Sequence, residues 1–259
     1  MLPGAMNGTT EFISIMNNSN KVYVNENEII ENTKKAFFTS EIQKAHFDSI
    51  TEFIDESNYH KLHKSPLAPL DITFDYENLA EEISEYSSFV EDWGDFTENP
   101  RRGLALVNQT GNLIKNDPIN GSLHHWNQNN PHNPILESDC VNPTSVLGIP
   151  SLKNLAVFNS HWCRSNILIW EEGAKFYPHI DTLVPSPWFR LWATDSKNIK
   201  LFFAQDNYLH ECPDIEQGRL YLIDTSIIHS AEAVGGDGHQ LFLSCLPSAQ
   251  SVIEHHLCY

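Results

Sequence analysis

Along the second half of the chain, apolar residues gather in short runs separated by turn-forming residues. The runs are Leu155–Phe158, Ser165–Trp170, Lys175–Pro178, Phe189–Thr194, Lys200–Ala204, Leu220–Ile223 and Gln240–Leu246. Between them stand Glu172-Gly173, Pro185-Ser186-Pro187, Asp195-Ser196, Gln217-Gly218 and Gly235-Gly236-Asp237-Gly238. Short strands about 8–12 residues apart with regular turns predict a sandwich or barrel. No βαβ alternation, internal repeat or glycine-rich phosphate loop occurs, so a dinucleotide or nucleotide fold is unsupported.

The first half follows a different period. Phe37, Ile42, Phe47, Ile50, Phe53 and Ile54 recur at helical spacing over 36–63, and Ser65-Pro66 stops that helix. A second helix is predicted over 75–92, with Asp75 as its cap and Leu79, Ile83, Tyr86, Phe89 and Val90 on one face. Pro100 ends this segment. Gly103–Val107 is a short apolar run, and Asn108–Asn112 reads as a turn. Residues 115–145 are rich in Asn, Pro, Gly and His and predict a long loop. Loops of that length are more often functional than idle. It carries His124, His125, Trp126 and His132, as a substrate-covering segment or as a solvated loop with incidental histidines. Residues 1–35 are polar, with one short alternation at Lys21–Val24, and read as a mobile arm or an edge strand. The expected organisation is this arm, then one domain over 36–259, with helical support over 36–100 and a β core over about 101–250.

Composition narrows the function. The chain has 34 acidic residues against 16 basic ones, a formal charge of −18, and five arginines: Arg101, Arg102, Arg164, Arg190 and Arg219. Such a surface repels phosphate backbones, so no nucleic-acid partner is expected. No apolar run of about 18 residues exists, so no membrane span is expected. The opening Met1–Met6 has no basic stretch followed by an apolar core, which reads against a secretory signal. Cys140, Cys163, Cys212, Cys245 and Cys258 are scattered and form no C-x-x-C pair, as expected for reduced thiols in a cytoplasmic protein.

The sharpest chemical feature is Tyr177-Pro178-His179-Ile180-Asp181. Residues i and i+2 of a strand share a face, so His179 and Asp181 project together. His229, at the end of the apolar run from Leu222, supplies a distant third ligand. Two imidazoles and one carboxylate make a facial triad that suits Fe(II) and leaves coordination positions open. A His-x-Asp taken alone is common and is ordinarily a packed or surface pair.

The stretch from Cys163 to Pro247 resembles the iron- and 2-oxoglutarate-dependent dioxygenases of the aspartyl/asparaginyl β-hydroxylase type. The resemblance is carried by Trp162-Cys163-Arg164, Glu172-Gly173, Pro178-His179, Phe189-Arg190-Leu191-Trp192, Gln217–Ser226, His229 and Phe242-Leu243. It extends more weakly over Leu70–Asp92 and Arg102–Val107. It implies a mainly β fold with N-terminal helices, a double-stranded β-helix (jelly roll, cupin-like). It implies Fe(II), 2-oxoglutarate and dioxygen as cofactors, with His179, Asp181 and His229 as both metal ligands and catalytic centre. The carboxylate of Asp181 resembles the free amino-acid hydroxylases, such as the proline hydroxylases, and argues against a halogenase. The family's usual 2-oxoglutarate arginine lies ten residues after the distal histidine, where this chain has His239. The resemblance therefore shifts that role to Arg190, with His239 as a second donor and Trp192 beside it. An ion pair for Arg190, a loop position for His239 and core packing for Trp188 and Trp192 are the structural alternatives. Arg164, Trp188 and His125 are the substrate-binding candidates. Arg164 pairs with a substrate carboxylate or with one of the many acids.

The implied reaction is hydroxylation of a C–H bond in an amino acid, peptide or small amino-acid-derived substrate. Two other classes remain: a cupin-like metalloenzyme that does not use 2-oxoglutarate, and a non-catalytic jelly-roll binding protein.

Overall fold

In the computed structural model the described residues are 22–39, 50–93, 101–115, 120–181 and 184–258. The strands are β1 (Leu67–Thr73), β2 (Glu91–Asp92), β3 (Arg102–Asn108), β4 (Asn142–Pro143), β5 (Trp162–Trp170) and β6 (Lys175–His179). They continue with β7 (Phe189–Thr194), β8 (Ile199–Gln205), β9 (Tyr208–Glu211), β10 (Arg219–Ile223), β11 (His229–Ala233) and β12 (Gly238–Cys245). The larger sheet runs β1-β10-β7-β12-β5-β3-β2, with β4 on β3, and the smaller runs β6-β11-β8-β9. All pairings are antiparallel. From β5 the chain passes back and forth between the sheets, a jelly-roll winding that falls within the sandwich or barrel class expected from the strand pattern.

The larger sheet is buried on both faces. That explains why its strands read as continuous apolar runs, all six residues of β7 being buried. Its outer face carries Ile167, Leu191, Leu220, Leu222, Leu241 and Leu243, packed against helices. Its inner face carries Leu168, Trp170, Trp192, Tyr221 and Ile223, which meet Leu201, Phe203 and Ala231 of the smaller sheet. Period-two alternation therefore sorts each strand between a structural core and an inner chamber.

Helices α1 (Glu26–Thr39), α2 (Glu56–Leu62), α3 (Tyr76–Ser84), α4 (Leu123–Asn129) and α5 (Gln250–His256) complete the fold. Asp75 caps α3 as expected, its side chain accepting from the Asn78 N–H. Asp55 caps α2, accepting from Ser57 and Asn58 N–H. The turn into β10 needs Gly218, whose φ is +73° and whose added Cβ would lie 2.8 Å from the Phe74 carbonyl.

Several elements differ from the sequence reading. The helix expected over 36–63 is not continuous. One helix begins at Glu26, residues 50–55 are non-helical, and α2 starts after Asp55; Ile42 and Phe47 lie outside the described residues. The helix expected over 75–92 ends at Ser84, followed by a 3-10 turn at Ser87–Phe89 and β2. Leu155–Phe158 is not a strand but part of a 3-10 helix, Pro150–Phe158. Its buried Leu152, Leu155 and Phe158 recur every three residues, the 3-10 repeat, behind a proline that starts the turn. The 115–145 segment contains α4, a 3-10 turn at Glu137–Asp139 and β4. Of the Lys21–Val24 alternation, Lys21 lies outside the described residues and Tyr23 bridges Tyr208 at the sheet edge, Val24 N–H donating to the Asn207 carbonyl and Leu209 N–H to the Val22 carbonyl. No helix among the described residues is long and apolar enough to cross a membrane.

Leu191 is fully buried on the outer face, while its neighbour Trp192 faces the chamber. Leu191→Ala is expected to cost about 2–5 kcal/mol in urea unfolding while leaving metal affinity within twofold.

Candidate metal centre

His179 ends β6, His229 opens β11, and the two residues face each other across the ladder. Their ring centroids are 4.3 Å apart. Asp181 follows β6 by two residues, its N–H donating to the Thr225 carbonyl at 3.0 Å. One ligand atom from each of the three lies within 4.8 Å of the others. The sequence pattern thus brought together the three residues named from it.

Both imidazoles are oriented by backbone. His179 Nδ1 donates to the Tyr177 carbonyl at 2.7 Å, and His229 Nδ1 to the Ile227 carbonyl at 2.9 Å. A carbonyl only accepts, so each Nδ1 carries the proton and each Nε2 presents a lone pair. His179 Nε2 points at Asp181 Oδ1, 2.9 Å away, and His229 Nε2 lies 3.8 Å from the same oxygen. Lone pairs converging on a carboxylate repel unless a cation lies among them. This donor set fits a divalent metal, and backbone-tied Nδ1 atoms are the usual support for metal-binding histidines.

Electrostatics favour the ligand forms. Burial, helped by His179, lowers His229 from 6.5 to about 4 and keeps it neutral. Burial opposes ionisation of Asp181. The Arg190 guanidinium nearby favours the ionised form.

The loop between β10 and β11 is tied from outside the sheets. The Tyr59 hydroxyl of α2 donates to Asp224 Oδ1 at 2.7 Å, and Ser226 N–H donates to the same oxygen at 3.0 Å. This clamp fixes Thr225, whose carbonyl holds Asp181.

The triad opens on a cavity of about 250 Å³ between the sheets. Asp181 and His229 line it with Arg101, Arg164, Arg190, Glu137 and Gln240, and aromatic rings close its sides. Arg190, on the inner face of β7, holds Glu137 by its fork at 2.7 and 3.2 Å and also donates to Ser244. Its Nε lies 3.9 Å from Asp181 Oδ2. Trp192 lines the cavity, whereas Trp188 lies under the Arg190 guanidinium, 4.7 Å from it. Arg164 lines the cavity from β5. His125 lies on α4, and its side chain falls outside the described residues.

His239 is not brought to this site. On β12, Gln240, Phe242 and Ser244 reach the chamber side, and His239 alternates to the other face. There its Nδ1 pairs with Asp195 Oδ2 at 2.6 Å. Counting ten residues from the distal histidine located the strand but not the face. Glu137, Arg101 and Gln240 were not read from the sequence. Only the length of the 115–145 segment hinted that part of it, here Glu137, reaches the site.

No protein-family model matches the chain, and no curated protein matches it. Among solved structures it is similar to a prolyl-4-hydroxylase from Pseudomonas putida. The identity is 10% and the TM-score 0.41, over 74% of this chain and 97% of that one. It is similar to a 2OG-Fe(II) oxygenase family oxidoreductase from Burkholderia pseudomallei at 11% identity and TM-score 0.42, over 74% and 90%. A third is a prolyl hydroxylase from Trichoplax adhaerens, in complex with a hypoxia inducible factor peptide fragment, at 9% identity and TM-score 0.41, over 86% and 98%. At these values the likeness is one of outline.

Tyr59→Phe removes a donor from the buried Asp224 and loosens the Thr225 tether. Cobalt(II) titration is expected to show about tenfold weaker binding than wild type. The metal-free protein should also lose stability in acid. The His229 pKa is lower in the folded chain than its ordinary value, so the unfolded chain takes up the proton first. This contribution is complete above 6.5 and drains as pH falls from 6.5 toward about 4. Urea midpoints measured from pH 8 to 4.5 should therefore fall below pH 6.5; a flat profile would contradict the buried neutral imidazole.

Proposed function

We propose that the protein is a non-haem Fe(II)- and 2-oxoglutarate-dependent oxygenase of the aspartyl/asparaginyl β-hydroxylase kind. It hydroxylates a C–H bond of an amino acid, peptide or small amino-acid-derived substrate. The observation that carries this reading is the convergence of two Nε2 lone pairs on the Asp181 carboxylate at the wall of an arginine-lined chamber. Two imidazoles and one carboxylate on one side leave the opposite side open, the arrangement suited to Fe(II) oxygenases.

His179, Asp181 and His229 would hold the metal. When bound, iron with 2-oxoglutarate and dioxygen supplies the oxidising power, releasing succinate and carbon dioxide as one oxygen atom enters the substrate. The chain supplies the remainder. The Tyr177 and Ile227 carbonyls aim the two imidazoles. Arg190 stands beside the outer oxygen of Asp181 and steers carboxylates toward the metal, with Trp192 shielding that side from water. The small volume and aromatic walls favour a dry pocket, where charges act strongly. A co-substrate carboxylate approaching Arg190 would compete with Glu137, which already neutralises that guanidinium.

That same pair favours a second reading, a jelly-roll metalloenzyme that does not use 2-oxoglutarate. Anaerobic titration separates the two. Fe(II) followed by 2-oxoglutarate should produce a visible absorption band that needs both components. Asp181→Ala and His179→Ala should each abolish the band and metal-dependent succinate release, with unchanged circular dichroism. Iron binding without the band would favour the second reading, and no metal binding would leave a binding protein.

A further inference from the structure

Three of the five arginines of this acidic chain line one small cavity. Arg190 has a carboxylate partner in Glu137. Arg164 differs. It is only 5% exposed, and its one hydrogen bond among the described residues is to the Gly121 carbonyl. Its guanidinium lies 4.8 Å from the centre of the Trp93 ring. Among the described residues no carboxylate pairs with it, since the nearby Glu137 is held by the fork of Arg190. A buried cation without an anion is costly, by several kcal/mol in general.

The neighbouring donors point the same way. The indole N–H groups of Trp170 and Trp192 are buried at the cavity wall and have no acceptor among the described residues. With Arg164 they offer donors to a carboxylate, while Gln240 Oε1 and Asp181 Oδ2 are the unpartnered acceptors of the same wall. Among the described residues the carboxylates of the wall are Asp181 and Glu137, and Glu137 is already held by Arg190. The volume, about 250 Å³, is below the roughly 300–1,000 Å³ common for drug-sized ligands.

We propose that Arg164 is the anchor for a carboxylate on the primary substrate, which is a small acid without a free ammonium group, such as an N-acylated amino acid. The inference rests on the oxygenase reading of the same site, because that reading gives the chamber a primary substrate beside 2-oxoglutarate. A free amino acid would bring an ammonium group into a chamber already rich in guanidinium groups. A carboxamide would forgo the bidentate bond that a guanidinium makes with a carboxylate.

The test uses the full chain loaded with zinc(II), which carries out no oxidation, and saturated with 2-oxoglutarate. Quenching of the cavity tryptophans reports binding of a panel of N-acetyl-L-amino acids, their carboxamides and the free amino acids. At least one N-acetyl acid should bind, and its carboxamide and its free amino acid should each bind at least tenfold more weakly. Arg164→Gln should weaken that acid at least tenfold and leave 2-oxoglutarate affinity within twofold. Arg164→Lys, which keeps the charge, should fall between. Equal binding of acid and carboxamide, equal binding of the free amino acid, or no binding by any acid would overturn the proposal. A parallel loss of 2-oxoglutarate in Arg164→Gln would also overturn it, by assigning Arg164 to the co-substrate. If Arg164→Gln does not fold, the carboxamide comparison and Arg164→Lys still decide. Failure of 2-oxoglutarate to bind wild type would instead sink the oxygenase reading. The acid and carboxamide comparison, repeated without 2-oxoglutarate, would then judge Arg164 separately.

Discussion

The register between β6 and β11 is the constraint on which the site depends. His229 stands opposite His179 only in this pairing, and a slip of one residue would turn one imidazole away from the chamber. The register is held on both flanks. β11 also pairs with β8, where His229 faces Phe203, and Gly173 N–H donates to the Ala233 carbonyl while Ala233 N–H donates to the Ala174 carbonyl. Beyond β6, Asp181 hangs from the Thr225 carbonyl, so the third member of the triad depends on the loop that delivers His229. All three side chains are placed by backbone hydrogen bonds, so the chain itself assembles the triad.

The distribution of charge is the second organising fact. A chain with 34 acids folds around a chamber whose described wall carries three arginines and two carboxylates. Inside, the aromatic walls lower the local dielectric, so each guanidinium acts over a longer range than it would in water. Arg190 links the two halves of the site. Its fork holds Glu137 from the 115–145 segment, and its Nε faces Asp181 at 3.9 Å. The 115–145 segment and the carboxylate of the candidate triad therefore share one cation.

Legibility followed the range of the interactions involved. The apolar run Phe189–Thr194 and the turn at Gln217-Gly218 are local, and both appear where the pattern put them. Asp75 announced its helix because a cap is a contact between near neighbours. Leu155–Phe158 misled because four apolar residues fit a strand and a buried 3-10 turn equally well. The helix over 36–63 was overextended because apolar spacing does not record where a cap such as Asp55 restarts the chain. β9 has three exposed residues among its four and offered no apolar run to read.

By itself the sequence determined a sandwich or barrel of short strands, the His-x-Asp pair and its distal histidine, because strand period and turn chemistry are properties of adjacent residues. Only the tertiary structure decided which arginine is already paired and which face of β12 His239 occupies. It also decided that Glu137, from a segment read as a loop, reaches the chamber. These depend on bulges, register and the closing of residues far apart in the chain, none of which leaves a mark on local spacing.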